Sequence, residues 1–247
     1  CSGVTVRDTP SYDTLMSLGL DPDKVRLASD STFTLAGDFA QLHGTPDILG
    51  VALRNVANRQ GRLLPLELRR KLGLYREPDR SRERRQWARI LDRHIEDHGG
   101  QVKFFPFHTG SLSNADDTEC IAVMSLMNHS EQASVVMPTE MRSFLNSISQ
   151  CRLLVTVPLH GSILSVVTGT VPIAVPYASK GFRFMEEAGL GGLTVDTGGR
   201  DWPEELWELL ERTWESSRDV LQDISETRSR LAERCSVTLD LFRSIFF

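Results

Sequence analysis

From residue 48 onward, short apolar runs alternate with longer stretches of helical periodicity. The runs at 48–53 (ILGVAL), 102–107 (VKFFPF), 133–137 (ASVVM), 152–157 (RLLVTV), 171–175 (VPIAV) and 193–195 (LTV) are continuous and β-branched. Such runs suit parallel strands covered on both faces, whereas a half-exposed strand alternates apolar and polar positions. Helical stretches fall near 80–98, 115–129, 139–149, 160–168 and 179–189. Gly99-Gly100 is placed to end the first, Asn114 or Asp116 to cap the second, and Pro138-Thr139 to open the third. A βαβ series of this kind requires right-handed crossovers, so the expected fold is α/β with a doubly wound parallel sheet, Rossmann-like.

The two ends of the chain read differently. Residues 203–247 predict one or two long amphipathic helices, with Leu206, Leu209, Leu210, Val220, Leu221, Ile224, Leu231, Leu239, Phe242 and Phe246 among the apolar positions. The first 45 residues predict a strand (Val4–Val6), a helix (Pro10–Leu18) and a strand (Val25–Ala28), then a loop. A βαβ unit that short cannot bury a core by itself. Either its strands join the edge of the main sheet, or the chain is a fragment lacking an upstream domain; the reading favours the fragment. The expected organisation is therefore a remnant of an N-terminal domain (1–45), a Rossmann-like domain (46–200), and C-terminal helices (201–247) that pack on it or cross back.

Composition narrows the class. The chain is 40% hydrophobic and 25% charged, as soluble globular proteins are. The nearest approach to a membrane span, 163–176, is interrupted by Thr168, Gly169, Thr170 and Pro172. The amino end, CSGVTVRDTP, lacks a basic region followed by an apolar core and is not read as a signal peptide. Cys1, Cys120, Cys151 and Cys235 are scattered, with no CxxC pair or Cys/His ligand spacing. No structural metal site is expected from them, only buried reduced thiols in a cytoplasmic protein.

The net charge of −5 hides an asymmetry: residues 62–93 carry 11 Lys/Arg against 5 Asp/Glu, and 201–240 carry the reverse, 11 Asp/Glu against 5 Lys/Arg. The basic run reads as a solvated helix face, or as contact with an anionic polymer or the inner face of a membrane. Nucleic acid is not expected, because few aromatics interleave and the whole is acidic.

The chemistry is positional. Parallel strands bring the residues that follow them to one edge, where open α/β sheets bind ligands. Arg54 follows the first main-sheet strand, His108 the second, Glu140 the third, His160 the fourth, and Tyr177 and Lys180 the fifth. In VTVPLHGSI (155–163) a strand runs into His160, a small-residue turn and an apolar helix, whose start offers free N–H groups and partial positive charge. Arg54, His160 and Lys180 with those amides suit a small polyanion. His160 can also transfer protons near neutral pH. Plainer roles stand beside these: an ion-paired Arg54, a loop-exposed His108, a packed Tyr177, a solvated Lys180, a helix-capping His160, and Asp116-Asp117 as caps.

The chain resembles the polysaccharide pyruvyl transferase family over nearly its whole length. VTVRDTPSYDTLMSLGL (4–20) is similar to the family's strand, Arg-Asp, Ser, helix, Leu-Gly segment, and ASDSTF (28–33) to the aspartate and phenylalanine that follow. ILGVALRN (48–55) resembles the strand that opens the second domain and ends in arginine, and NADDTE (114–119) its acidic helix start. The strongest match is LLVTVPLHGSILSVVTGTVPIAVPYASKGFRFMEEAGL (153–190): Leu-His, an apolar helix, Gly-x-x-Pro-Ile, Tyr, Lys and a closing Gly-Leu.

The resemblance implies two Rossmann-like domains facing across a cleft, as in GT-B glycosyltransferases. It also implies transfer of pyruvate from phosphoenolpyruvate onto two sugar hydroxyls, with no cofactor. His160 would be catalytic. Arg54, Lys180, Leu159, Gly161 and Tyr177 would bind the donor, with Arg7, Asp8, His108, Glu140 and Arg183 as further candidates and no metal ligand. The acceptor would be a saccharide or a lipid-linked saccharide, and a homo-oligomer is left open. Two departures stand out: the arginine usual two residues before the histidine is Pro158, and the family's glycine-rich amino-terminal segment is absent. The alternatives are a GT-B glycosyltransferase or sugar-nucleotide enzyme, and an inactive family member acting as a binding module.

Overall fold

The structure, a computed structural model, describes residues 3–39, 47–54, 80–110, 115–198 and 201–246. Its main sheet has five parallel strands, β3 (Ile48–Ala52), β4 (Gln101–Phe104), β5 (Ala133–Val135), β6 (Leu153–Thr156) and β7 (Val171–Ala174), in the order β5-β4-β3-β6-β7. Every residue of β6 and β7 is buried, as their unbroken apolar sequences require, whereas the edge strand β5 is not fully covered. Helices α2 (Ser81–His98), α3 (Asp116–Met124), α4 (Met141–Ser149), α5 (Leu159–Thr168) and α6 (Ser179–Ala188) join or follow these strands. From β3 the chain builds outward through β4 and β5, then returns to lay β6 and β7 on the other side. The order therefore reverses between β3 and β6, which opens a crevice beyond their carboxyl ends.

The N-terminal segment forms its own two-stranded parallel sheet, β1 (Val4–Val6) with β2 (Val25–Leu27), separated by α1 (Thr9–Ser17). A 3-10 helix, Ser31–Asp38, follows and packs against α5. After α7 (Trp202–Glu215), the long α8 (Ser217–Phe246) runs back to this segment. Ser29 donates to the carbonyl of Leu231, Arg228 to that of Phe39, and Thr227 to that of Ala188 on α6 at 2.9 Å. The C-terminal helix thus ties the N-terminal segment to the main domain.

Several expectations are corrected. Residues 193–195 form no strand; Gly191–Leu193 is a 3-10 turn, and Thr194 makes one isolated bridge to Ala174. Asp116 does not cap its helix: Ala115 holds that position, and the carboxylate is buried in an ion pair. Asn114 lies outside the described residues. Helix α4 opens not at Pro138-Thr139 but on Glu140, whose carboxylate accepts from the amides of Arg142 and Ser143. Leu239 and Phe242 stay exposed, so the last turns of α8 do not continue the apolar stripe into the core.

The basic run is not simply a solvated face. Residues 62–79 lie outside the described residues, but Arg80 and Arg84 both pair with the buried Glu119, at 3.0 and 2.8 Å. Arg93 lies 4.1 Å over the Trp207 ring. Arg82, Arg85 and Arg89 do remain exposed. Burial pushes the thiols of Cys120 and Cys151 up to about 12, so neither supplies a thiolate at neutral pH. Among the described residues no helix is long and apolar enough to cross a membrane.

Candidate active site

The crevice is built first by Arg54, two residues beyond β3. Asp116 fixes it through two parallel hydrogen bonds, Nε to Oδ1 at 3.1 Å and Nη2 to Oδ2 at 2.8 Å. The carboxylate is fully buried and also accepts from the Phe107 amide at 3.2 Å. Tyr177, just past β7, hydrogen-bonds the same guanidinium. Burial works against the Arg54 charge, but Asp116 and then Tyr177 outweigh it and raise its pKa further. A fork-to-fork pair of this kind sets the direction of the guanidinium, and its remaining N–H can serve a ligand.

His160 sits across the reversal point from Arg54, in the first turn of α5. Nine of the ten residues of α5 are buried, and His160 is the exception. A helix that spends every other side chain on packing exposes an imidazole only at the crevice. Its pKa lies below the ordinary histidine value. Desolvation by its surroundings is the main cause; Asp30 opposes it, and the charges of Arg7, Lys180 and Arg54 reinforce it. The ring is therefore mainly neutral at pH 7 and able to accept a proton.

Leu159 and Gly161 flank it. The Gly161 amide turns back to the Pro158 carbonyl at 2.9 Å, leaving the Leu159 and His160 amides at the helix start outside the helical ladder. A Cβ on Gly161 would stand 1.9 Å from Thr156 Oγ1, so glycine lets α5 start directly against the end of β6. Gly161→Ala should cost about 1–3 kcal/mol through overpacking, and Thr156→Ala in the same chain should restore part of it. Unchanged thermal stability in Gly161→Ala would show that the helix start is not held there.

Next to His160 a cleft of roughly 560 Å³, open mouth included, separates the N-terminal segment from α5, α6 and α8. Arg7, Lys180, Arg183 and Arg234 bring positive charge to its wall, and Asp8, Asp30 and Glu187 negative charge. Arg7 pairs with Asp30 at 2.7 Å. Burial raises the pKa of Asp30, but hydrogen bonds from the Thr32 amide and hydroxyl and from Arg7 hold the net value below the usual carboxylate range. Asp8 caps α1 through the Ser11 amide, and Arg183 donates to Ser179 at 2.9 Å. Arg234 differs from the other cations: its Nε and one Nη are buried and have no hydrogen-bond partner among the described residues.

The structure therefore brings Arg54, Tyr177, His160, Leu159, Gly161, Lys180, Arg7, Asp8 and Arg183 around one crevice and its adjoining cleft. His108 is exposed in the loop after β4, and Glu140 is occupied as a cap; neither lines the cleft. Asp116 and Arg234 are additions. No local pattern singles out Arg234, because its place in the cleft depends on α8 running back across the domain.

The polysaccharide pyruvyl transferase family profile matches residues 1–179. The chain belongs to that family. The match takes in Arg54, His160 and Tyr177 and stops one residue before Lys180, so the α6 and α8 contributions to the cleft lie beyond it. A comparison with curated protein sequences finds no match. Among solved structures, the fold is similar to one from Listeria monocytogenes described as a UDP-N-acetylglucosamine 2-epimerase, with a TM-score of 0.60 at 12% identity. The alignment covers 100% of this chain and 60% of that one. At that identity the likeness speaks for the Rossmann-like fold alone. Pro158, where the resemblance implies an arginine, serves as the N-cap of α5, its carbonyl accepting from Thr156 Oγ1 at 3.0 Å.

Proposed function

We propose that this chain carries the donor side of a site that moves pyruvate from phosphoenolpyruvate to two hydroxyls of a sugar. The acceptor is a cell-surface polysaccharide or its lipid-linked precursor, and the product is a pyruvate ketal. The observation that carries the reading is His160: the one exposed side chain of a buried helix, facing Arg54 across the reversal point of a pyruvyl transferase family sheet.

The reaction needs cations for a phosphate and a carboxylate, and it needs protons moved. One sugar oxygen bonds to the central carbon of the donor while the methylene carbon gains a proton and becomes methyl. The second oxygen then displaces phosphate from the same carbon. Arg54 and Lys180, with the Leu159 and His160 amides, suit the anionic groups. Neutral His160 suits the proton of an attacking hydroxyl. Asp30, held ionised, does not donate a proton near neutrality; it neutralises and orients Arg7. Arg234, with unpartnered N–H groups in the cleft wall, is available to a further anionic group of donor or acceptor.

Phosphoenolpyruvate should raise the melting temperature of the chain, and nucleotide sugars should not. The reverse result would favour a sugar-nucleotide enzyme, and no response to either would favour a binding module. Pro158→Arg, which keeps an extended N-cap backbone (φ −76°, ψ 136°) open to any residue, should tighten phosphoenolpyruvate binding by about tenfold or more, the worth of one charge-assisted hydrogen bond. Unaltered affinity would place residue 158 off the donor.

A further inference from the structure

Well away from the crevice in sequence, the C-terminal half of α2 carries two histidines four residues apart, His94 and His98, on one helix face. Helix α7 brings Glu211 against them. We propose that His94, His98 and Glu211 form a binding site for a divalent transition metal, zinc by its chemistry, that clips α2 to α7.

One ligand atom from each residue lies within 4.8 Å of the other two; a tetrahedral ion with bonds of about 2.0–2.2 Å holds its ligand atoms about 3.3–3.6 Å apart, so side-chain shifts of roughly 1 Å close the three onto it. His98 Nε2 is 2.7 Å from Glu211 Oε1, a separation that needs only a small opening to admit the ion between them. His94 is 1% exposed, and its Nδ1 has no hydrogen-bond partner among the described residues. A buried ring nitrogen left in that state calls for an explanation that packing does not supply. Trp214 sets the ring orientations, with centroids 4.4 Å from His94 and 5.7 Å from His98.

Two imidazoles and a carboxylate are the donor set of borderline ions, not of magnesium or calcium, and three protein ligands leave a fourth position for water. Burial keeps His94 unprotonated, its pKa lowered to about 3, and the neutral ring is the form that binds a metal. Arg152, stacked over Trp214 at 4.2 Å, sets a positive charge against the ion, partly offset by Asp47 at 3.3 Å from its guanidinium.

The test uses the untagged 247-residue chain after chelator treatment, titrated with zinc by calorimetry and with cobalt(II) by visible absorption. Expected are one ion per chain, a four-coordinate cobalt spectrum, and a melting temperature raised by about 5–10 °C at free zinc 100-fold above the dissociation constant. His98→Ala and Glu211→Gln, both at half-exposed positions, should each weaken binding by more than about 100-fold, beyond the usual effect of an outer-shell loss. His129→Ala, whose ring pairs with Glu96 instead, should leave it unchanged. Circular dichroism checks that each variant is folded. No stoichiometric binding by the unaltered chain, or equal affinity in a folded His98→Ala/Glu211→Gln double variant, would overturn the proposal.

Discussion

His160→Ala should lower pyruvyl transfer by about 10²–10⁴-fold, the usual worth of a positioned acid–base group. It should also leave the fold intact, because the side chain is exposed and packs no core. The pH profile gives a second handle. His160 lies in a field made by Asp30, Arg7, Lys180 and Arg54, and its pKa is pushed down by desolvation and by the three cations against one carboxylate. A base with a lowered pKa stays active to lower pH, so the acid limb of kcat/KM should fall below the ordinary histidine value of about 6.5. Lys180→Gln and Arg7→Gln remove opposing charge and should move that limb upward. A limb at or above the ordinary value, unmoved by either change, would place the titration on another group. Transfer retained in His160→Ala within tenfold would remove the residue from the chemistry.

Asp116→Ala should be the most destabilising single change at the site. It deletes a fully buried carboxylate and leaves the largely covered Arg54 guanidinium, 18% exposed, with its charge uncompensated. Breaking a buried pair from one side costs about 3–5 kcal/mol, which for a domain of this size is roughly 6–20 °C in melting temperature. The Phe107 amide loses its acceptor as well. Donor affinity should fall too, because among the described partners Arg54 then keeps Tyr177 alone to direct it. Asp116→Asn, which keeps the shape and one acceptor oxygen, should lose less. A melting temperature within about 2 °C of the unaltered chain for Asp116→Ala, well short of that range, would show that Arg54 is held by other groups.

Much of the fold was legible because five strands have no competing reading. ILGVA, LLVT and VPIA are short, continuous and apolar, and each is followed by helical periodicity. LTV at 193–195 failed the same test in the structure because Gly191-Gly192 turns the chain before it, and contact with β7 stops at one bridge, Thr194 opposite Ala174 with the Val195 amide donating to the Ala174 carbonyl at 2.9 Å. Part of the rim was legible too, since the residue after a parallel strand needs no tertiary information: Arg54, His160, Tyr177 and Lys180 gather there, whereas His108 stays in an exposed loop and Glu140 is taken up as a cap. Partners were not. Asp116 has the local look of a cap, and only the adjacency of β3 and β4 with the start of α3 turns it toward Arg54. Arg234 enters the cleft because α8 doubles back, and Glu211 reaches His98 because α7 lies on α2; no spacing along the chain encodes either.

The central claim is that the crevice between β3 and β6 takes phosphoenolpyruvate and delivers its pyruvate to a sugar. The direct measurement is phosphate release from phosphoenolpyruvate by the whole protein over a panel of glycans ending in β-linked galactose or N-acetylmannosamine, with magnetic resonance of the product. The account predicts acceptor-dependent phosphate release matched one for one by a new ketal methyl signal, both lost in His160→Ala. Phosphate release without the ketal methyl, or neither signal with any acceptor, would contradict it.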